Sequence, residues 1–293
     1  RKNMKNSIIL FFLGILLVSC GSSKKIVISD PQKNKDVTEV PSEEIEIESI
    51  PEISEKVEPE KEEEEVEETI SDIQTPEVVF NHQSFDVLLK KHVSEKGEVN
   101  YKEFKKDKAL LRDYIALLGS KMPSEDWANE DTLAYWMNAY NAMTIDLILQ
   151  NYPLKSIKDI NNPWDQRLWK LGDRWYNLDE IEHQILRKMN DPRIHFGINC
   201  ASFSCPPLLN EAFTSKNVTS QLNALARSFV NDSQRNSIRA NTIEISKLFS
   251  WFAKDFKKNG TLIDFLNLYS EIPIDGNARI LYKDYNWDLN EQN

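Results

Sequence analysis

The run His195-Phe196-Gly197-Ile198-Asn199-Cys200-Ala201-Ser202-Phe203-Ser204-Cys205-Pro206-Pro207 sets two thiols and an imidazole within thirteen residues of a chain that holds three cysteines and four histidines in all. A thiolate is nucleophilic near neutral pH when a base or an electropositive neighbour supports it, and an imidazole is the usual supplier. Thiol chemistry is therefore expected here, with Cys200 or Cys205 as nucleophile and His195 as base and acid. Asn138, Asn199 or the Glu182-His183 pair would orient the ring or bind an oxyanion. Other uses of the same residues stay open. In an oxidising compartment the two thiols close a small disulfide loop. His183, His195 and both thiols make a metal site, although the four residues between the thiols are wider than the usual zinc knuckle. Two reduced structural cysteines, or a dithiol redox pair, complete the alternatives. No cofactor and no metal is expected on balance.

Which thiol meets the ring depends on the backbone. Residues 193–199 alternate like a strand, with His195, Gly197 and Asn199 on one side and Ile194, Phe196 and Ile198 on the other. A regular strand turns Cys200 away with the apolar set and leaves Cys205, in the following loop, as the better nucleophile. A bulge at Asn199 reverses that ranking.

The elements that must position these groups are mostly helical. Phe85, Leu88, Leu89 and His92 recur at helical spacing, with Ser84 as cap and Gly97 as stop, and a second helix is expected over residues 101–118. Residues 131–150 are apolar around nearly the whole helical circumference, which predicts a central buried helix capped by Asn129 and stopped by Pro153. Asn138 and Asn141 share one of its faces, and each buried amide left unpaired costs about 1–3 kcal/mol. They either pin the backbone of a neighbouring loop or line a polar cleft.

Gly172-Asp173 between short apolar runs predicts a β-hairpin. Asn177 and Glu180 form a capping box for a helix reaching Met189, with Glu182, His183 and Arg187 beside its inner stripe. Further on, a helix is expected over 219–230, a hairpin over 237–246 turning at Ala240-Asn241, and a helix from Ser246 toward Gly260. A helix over 262–269 and a strand over 279–282 follow. The fold class is α+β: a helix-rich single domain, residues 81–293, with a small antiparallel sheet.

The segment before that domain differs in kind. Arg1, Lys2 and Lys5 precede an eleven-residue apolar run, Ile8 to Val18, that ends in Leu17-Val18-Ser19-Cys20. The run is short for a membrane span and suits an export signal, so residues 1–19 read as a lipoprotein signal peptide, with Cys20 taking the lipid. The lipid bilayer is then a partner through Cys20. Gly21, rather than aspartate, after the cysteine points to the outer membrane of a bacterial envelope, periplasmic or surface-facing. Residues 20–80 read as a disordered acidic tether. Residues 31–80 alone carry −14 and residues 1–30 carry +4, which leaves −1 of the chain's −11 for the rest. A nearly neutral domain with no basic stripe excludes nucleic acid as partner and leaves a peptide or protein.

Four motifs occur together: Ala134-Tyr135-Trp136-Met137-Asn138-Ala139-Tyr140-Asn141-Ala142, Asn151-Tyr152-Pro153-Leu154-Lys155-Ser156-Ile157, Leu178-Asp179-Glu180-Ile181-Glu182-His183-Gln184-Ile185-Leu186-Arg187, and Arg193-Ile194-His195-Phe196 through Ser204-Cys205-Pro206-Pro207. In this order they resemble the domain-of-unknown-function 547 family across residues 81–293. The resemblance implies that Asn138, Asn141, Glu182, His183, His195, Asn199, Cys200 and Cys205 are the characteristic polar positions. Members of that family also occur inside plant cells attached to leucine-zipper segments, which implies that a disulfide is not the motif's general purpose. A cysteine-dependent hydrolase or acyl transferase acting on a peptide or amide is the expectation, with a non-catalytic binding or assembly module as its rival.

Overall fold

The computed structural model describes residues 79–292. The expected signal peptide, the lipidated Cys20 and the acidic tether up to residue 78 lie outside the described residues. Three helices come first: α1 (Gln83–His92), α2 (Tyr101–Phe104) and α3 (Lys108–Ser120). They pack around α4 (Asn129–Asn151), in which every residue from Leu133 to Leu149 is buried. A helix with no hydrophilic face has no stable place except the middle of a domain, and α4 is its axis. Among the described residues no helix is long and apolar enough to cross a membrane.

Helix boundaries differ from expectation where side chains found other work. α1 starts at Gln83 behind His82 rather than at Ser84, and it ends at His92. Gly97 instead makes a turn at φ +76°, packed so closely on the loop after Cys205 that a Cβ there would lie 2.5 Å from that of Pro207. The single helix expected over 101–118 is broken by a 3₁₀ turn, Lys105–Asp107, whose Asp107 accepts from His92 Nε2 at 2.7 Å. The Asn129 side chain makes no capping bond, and Glu130 and Asp131 supply the favourable charge at that end.

Strands β1 (Trp169–Leu171) and β2 (Arg174–Tyr176) form the expected hairpin, with Trp169 opposite Tyr176. Asn177 then accepts from the Glu180 N–H to start α5 (Leu178–Glu180). Glu180's own carboxylate is taken by Arg167 and Arg174 instead of returning to the cap. The helix continues as a π-helical turn, Ile181–Ile185, and a 3₁₀ turn, Leu186–Met189. Residues expected as a strand form a single helical turn, α6 (Ile194–Gly197). The alternation of 193–199 reflects two hydrophobic neighbourhoods, with Ile194 and Ile198 packed in the α4 core and Phe196 in a second, aromatic cluster.

That cluster joins α6 to α7 (Val218–Asn231), to the β3 (Ser237–Arg239) and β4 (Thr242–Ile245) hairpin, and to α8 (Leu248–Trp251), α9 (Ala253–Phe256) and α10 (Leu262–Asn267). The helix expected from Ser246 to Gly260 is thus two short ones. β5 (Arg279–Tyr282) pairs with β4 in parallel, because three helices lie between them and return the chain in the same direction. The α+β reading holds, with two small sheets of which the second is mixed.

Two carboxamides tie α4 to the rest. Asn138 donates to Phe213 O at 2.8 Å and accepts from Phe213 N at 3.0 Å. Asn141 donates to Gly197 O and accepts from Asn199 N, both at 2.9 Å. Replacing Asn141 by alanine strands two buried backbone groups, and the expected loss of unfolding free energy is about 2–4 kcal/mol by urea denaturation of the full chain. Val87→Ala on the exposed face of α1 is expected to change stability by less than about 0.5 kcal/mol. Equal effects of the two substitutions would show that the amide is not a brace.

Candidate active site

One cavity of about 340 Å³ gathers Glu182, His183, His195, Cys200 and Cys205 under aromatic walls from Trp164, Trp251 and Trp287. The π-helical turn places Glu182 and His183 side by side at its edge, α6 contributes His195, and the turn after α6 contributes the thiols. Over them runs the C-terminal segment. It is tied down by Phe203 N donating to Asp288 O at 2.7 Å, Asn290 N to Ala201 O at 3.3 Å and Leu289 N to Lys155 O at 2.9 Å. These bonds bring Tyr285 and Trp287 to the cavity.

Both cysteines are free, and their sulfurs lie 3.0 Å apart. The backbone folds back between them because Ala201 adopts a left-handed conformation at φ +57°. Cys200 is the partly exposed one, and Cys205 is buried. Ser202 Oγ lies 3.1 Å from the Cys200 sulfur and Tyr285 Oη 3.5 Å from it, while the two hydroxyls are 3.0 Å from each other. Hydrogen bonding with the Cys205 thiol, joined by Ser202 and Tyr285, outweighs burial and brings the Cys200 thiol down to about 6. Burial, and then the neighbouring Cys200, push the Cys205 thiol well above its ordinary value. The regular strand that would have favoured Cys205 is absent, since residues 194–197 form a helical turn, and of the two alternatives left open Cys200 is the one with the lowered thiol.

His195 makes no hydrogen bond to either sulfur. Its Nε2 meets Asp255 Oδ2 at 2.8 Å, and its ring stacks on Phe252 with centroids 3.9 Å apart. Asp255 also takes a two-pronged bond from Arg187, Nε to Oδ2 at 2.6 Å and Nη2 to Oδ1 at 2.9 Å. The His195 bond and then the guanidinium hold that carboxyl far below the usual carboxylate range. Burial is the larger influence on His195 itself and lowers its pKa despite Asp255. A neutral ring whose Nε2–H goes to a carboxylate keeps a lone pair on Nδ1, and that atom is buried without a partner.

The remaining expected site residues divide. Glu182 accepts from Tyr140 Oη at 3.0 Å, and burial raises its carboxyl to about 6 against the pull of His183 and the Tyr140 hydroxyl. His183 is half-exposed and has Arg187 Nη1 2.9 Å from its Nδ1. Asn138 and Asn199 do not orient the imidazole. Asn138 is committed to Phe213, while Asn199 donates to Pro206 O at 2.8 Å and accepts from Ala201 N at 2.8 Å, so it shapes the thiol loop. The ring is oriented by Asp255. That residue, Ser202 and Tyr285 are the groups that sequence reading missed. The available signal was an acidic residue inside the aromatic run Phe249-Ser250-Trp251-Phe252-Ala253-Lys254-Asp255-Phe256, and a second aromatic run, Tyr282-Lys283-Asp284-Tyr285-Asn286-Trp287. Among the described residues no cluster of three or more His, Cys, Asp or Glu is arranged to hold a metal ion.

A larger polar groove, about 1040 Å³, passes on another side of the thiol loop, and buried Cys205 lines it, but Cys200, Glu182, His183, His195 and Asp255 do not. The smaller cavity combines a nucleophile, a carboxyl raised toward neutrality and an imidazole held by a carboxylate. These groups can attack a carbonyl, protonate a leaving group and deprotonate an incoming one.

No curated protein and no solved structure shows a match to the chain. Residues 124–230, a shorter span than the 81–293 expected and one that carries α4, the π-helical turn and both thiols, match the family model described as Protein of unknown function, DUF547.

Proposed function

We propose that the protein is a cysteine-dependent acyl transferase or hydrolase acting on a peptide or amide, displayed in a bacterial envelope by a lipid on Cys20. The observation that carries the reading is a single cavity shared by Cys200, whose sulfur lies within hydrogen-bond reach of the Ser202 and Tyr285 hydroxyls and the Cys205 thiol, and by His195, whose Nδ1 is unpartnered. In the first step the Cys200 thiolate attacks the carbonyl carbon. A C–S bond forms, the C–N bond breaks, and protonated Glu182 gives its proton to the leaving amine. In the second step His195 Nδ1 takes a proton from water or another acceptor, which attacks the thioester and releases the thiolate, and the imidazolium then loses its proton while Glu182 regains one, restoring the starting state. Asp255 keeps the Nε2–H tautomer throughout and stabilises the imidazolium that forms. Ser202 and Tyr285 support the sulfur whenever it carries charge.

Because the sulfur's acidity comes from these neighbours and not from an imidazole, alkylation with a limiting iodoacetamide pulse is expected to modify Cys200 selectively. The rate rises with pH through a midpoint of about 6, the pH at which half of the thiol is ionised. Ser202→Ala and Tyr285→Phe are each expected to move that midpoint up by about one unit, and His195→Ala to leave it in place. Slow, equal labelling of both cysteines only on unfolding would favour a non-catalytic binding or assembly module.

Mixing the full chain with p-nitrophenyl acetate is expected to release one equivalent of p-nitrophenolate in a burst, followed by slow turnover, and Cys200→Ser removes the burst. His195→Ala and Asp255→Asn retain the burst and slow the steady state by about 10²–10³-fold, since they act on deacylation. A burst that survives Cys200→Ser would overturn the assignment of the nucleophile.

A further inference from the structure

The cavity's walls and charges point to one end of its substrate. Trp164, from the loop before β1, meets Trp287 edge-to-face with centroids 5.9 Å apart and planes at 72°. Trp251, at the end of α8, stacks against Trp287 at 5.8 Å and lies 4.7 Å from Tyr285. Trp251 nevertheless remains 48% exposed, which is a large apolar area to leave in water beside an open cavity. Aromatic faces carry negative potential and attract cations. Lys158, which does not line the cavity, already places its ammonium 5.0 Å from the Trp287 ring centre.

The charged side chains on the cavity wall are acidic, Asp165 and Asp179, with Glu182 as a third carboxyl when it ionises, and neither lysine nor arginine lines it. Asp165 makes no ion pair among the described residues, and the partner nearest Asp179 is His183, 3.5 Å away. Arg187, the cation nearby, is committed in both prongs to Asp255. The buried, unpartnered Nδ1 of His195 adds a further acceptor. A neutral apolar occupant would leave these carboxylates unanswered, and an anion would face them and the thiolate together.

We infer that the cavity takes the cationic end of its substrate, an organic ammonium group seated against Trp164, Trp251 and Trp287, with Asp165 and Asp179 at the mouth. This rests on the reading of the cavity as the reaction site and adds the substrate class: an acyl compound that carries a protonated amine or a quaternary ammonium. Both forms would rely on the rings and the carboxylates, which leaves His195 Nδ1 free for deacylation.

The test is equilibrium binding to the full chain, followed by intrinsic tryptophan fluorescence, with four probes: choline, ethanolammonium, the uncharged isostere 3,3-dimethyl-1-butanol, and the anion 3,3-dimethylbutanoate. At least one of the two cations is expected to bind about tenfold more tightly than the neutral alcohol, with the anion weakest. Trp287→Leu is expected to weaken the cation about tenfold, and Asp165→Asn, at an exposed position that folding does not require, by several-fold, with the alcohol unaffected by the second. Equal or tighter binding of the alcohol or the anion overturns the inference, as does failure of both cations to bind. An acyl burst from Cys200 without cation binding would sink this inference alone. Cation binding without a burst would keep the ammonium site and remove the chemistry proposed for it.

Discussion

A carboxamide removed from water must find both a donor and an acceptor, and that requirement organises the region around the thiols. Asn141 meets it on the backbone at Gly197 and Asn199, and so fixes the end of α6 against the axis helix. The Asn199 side chain then orders the loop, holding Ala201 N and Pro206 O at its two ends. Asn290 donates to Asn199 Oδ1 at 3.2 Å and accepts from Tyr101 Oη at 2.7 Å, which locks the C-terminal segment onto the same loop. In a low-dielectric interior such a network either closes fully or destabilises the fold, so the sulfurs inherit a defined position from amides that are committed to the backbone and to one another.

The charges are separated with similar economy. Arg187 and Asp255 neutralise each other across α9 and the turn after the π-helix, and His195 takes up the remaining capacity of the carboxylate. An imidazolium buried between Phe252 and Phe256 would be poorly solvated, which is why burial rather than Asp255 decides the resting state of the ring. In the proposed reaction this gives a base that is available at the outset and a counter-ion that is present when the base becomes charged.

How far this arrangement could be read from the chain varies by element. The buried axis helix, both hairpins and β5 follow from local periodicity and turn chemistry, and the structure has them within one or two residues. Residues 193–199 misled because alternating burial is shared by a strand and by a single helical turn wedged between two cores. The facing of the thiols depends on that turn, which is why the choice between Cys200 and Cys205 stayed open in the sequence. Asn138 and Asn141 were recognised as buried amides, and only their partners were out of reach. Asp255, Tyr285 and the parallel pairing of β5 depend on contacts between segments far apart in sequence, for which no local pattern exists.

The means of stabilising the thiolate also constrains what the cavity can hold. An ion pair between a thiolate and an imidazolium against aromatic walls would require two desolvated charges, whose mutual attraction repays the loss of water only in nearly ideal geometry. A second thiol and two hydroxyls are cheaper to bury and still lower the energy of the sulfur anion. Neutral donors, however, leave the anion's charge uncancelled, and Glu182 beside it adds more as it ionises. A site built in this way has a standing deficit of positive charge, and under the proposed reading a ligand that brings its own cation would remove the deficit at the moment it excludes the water.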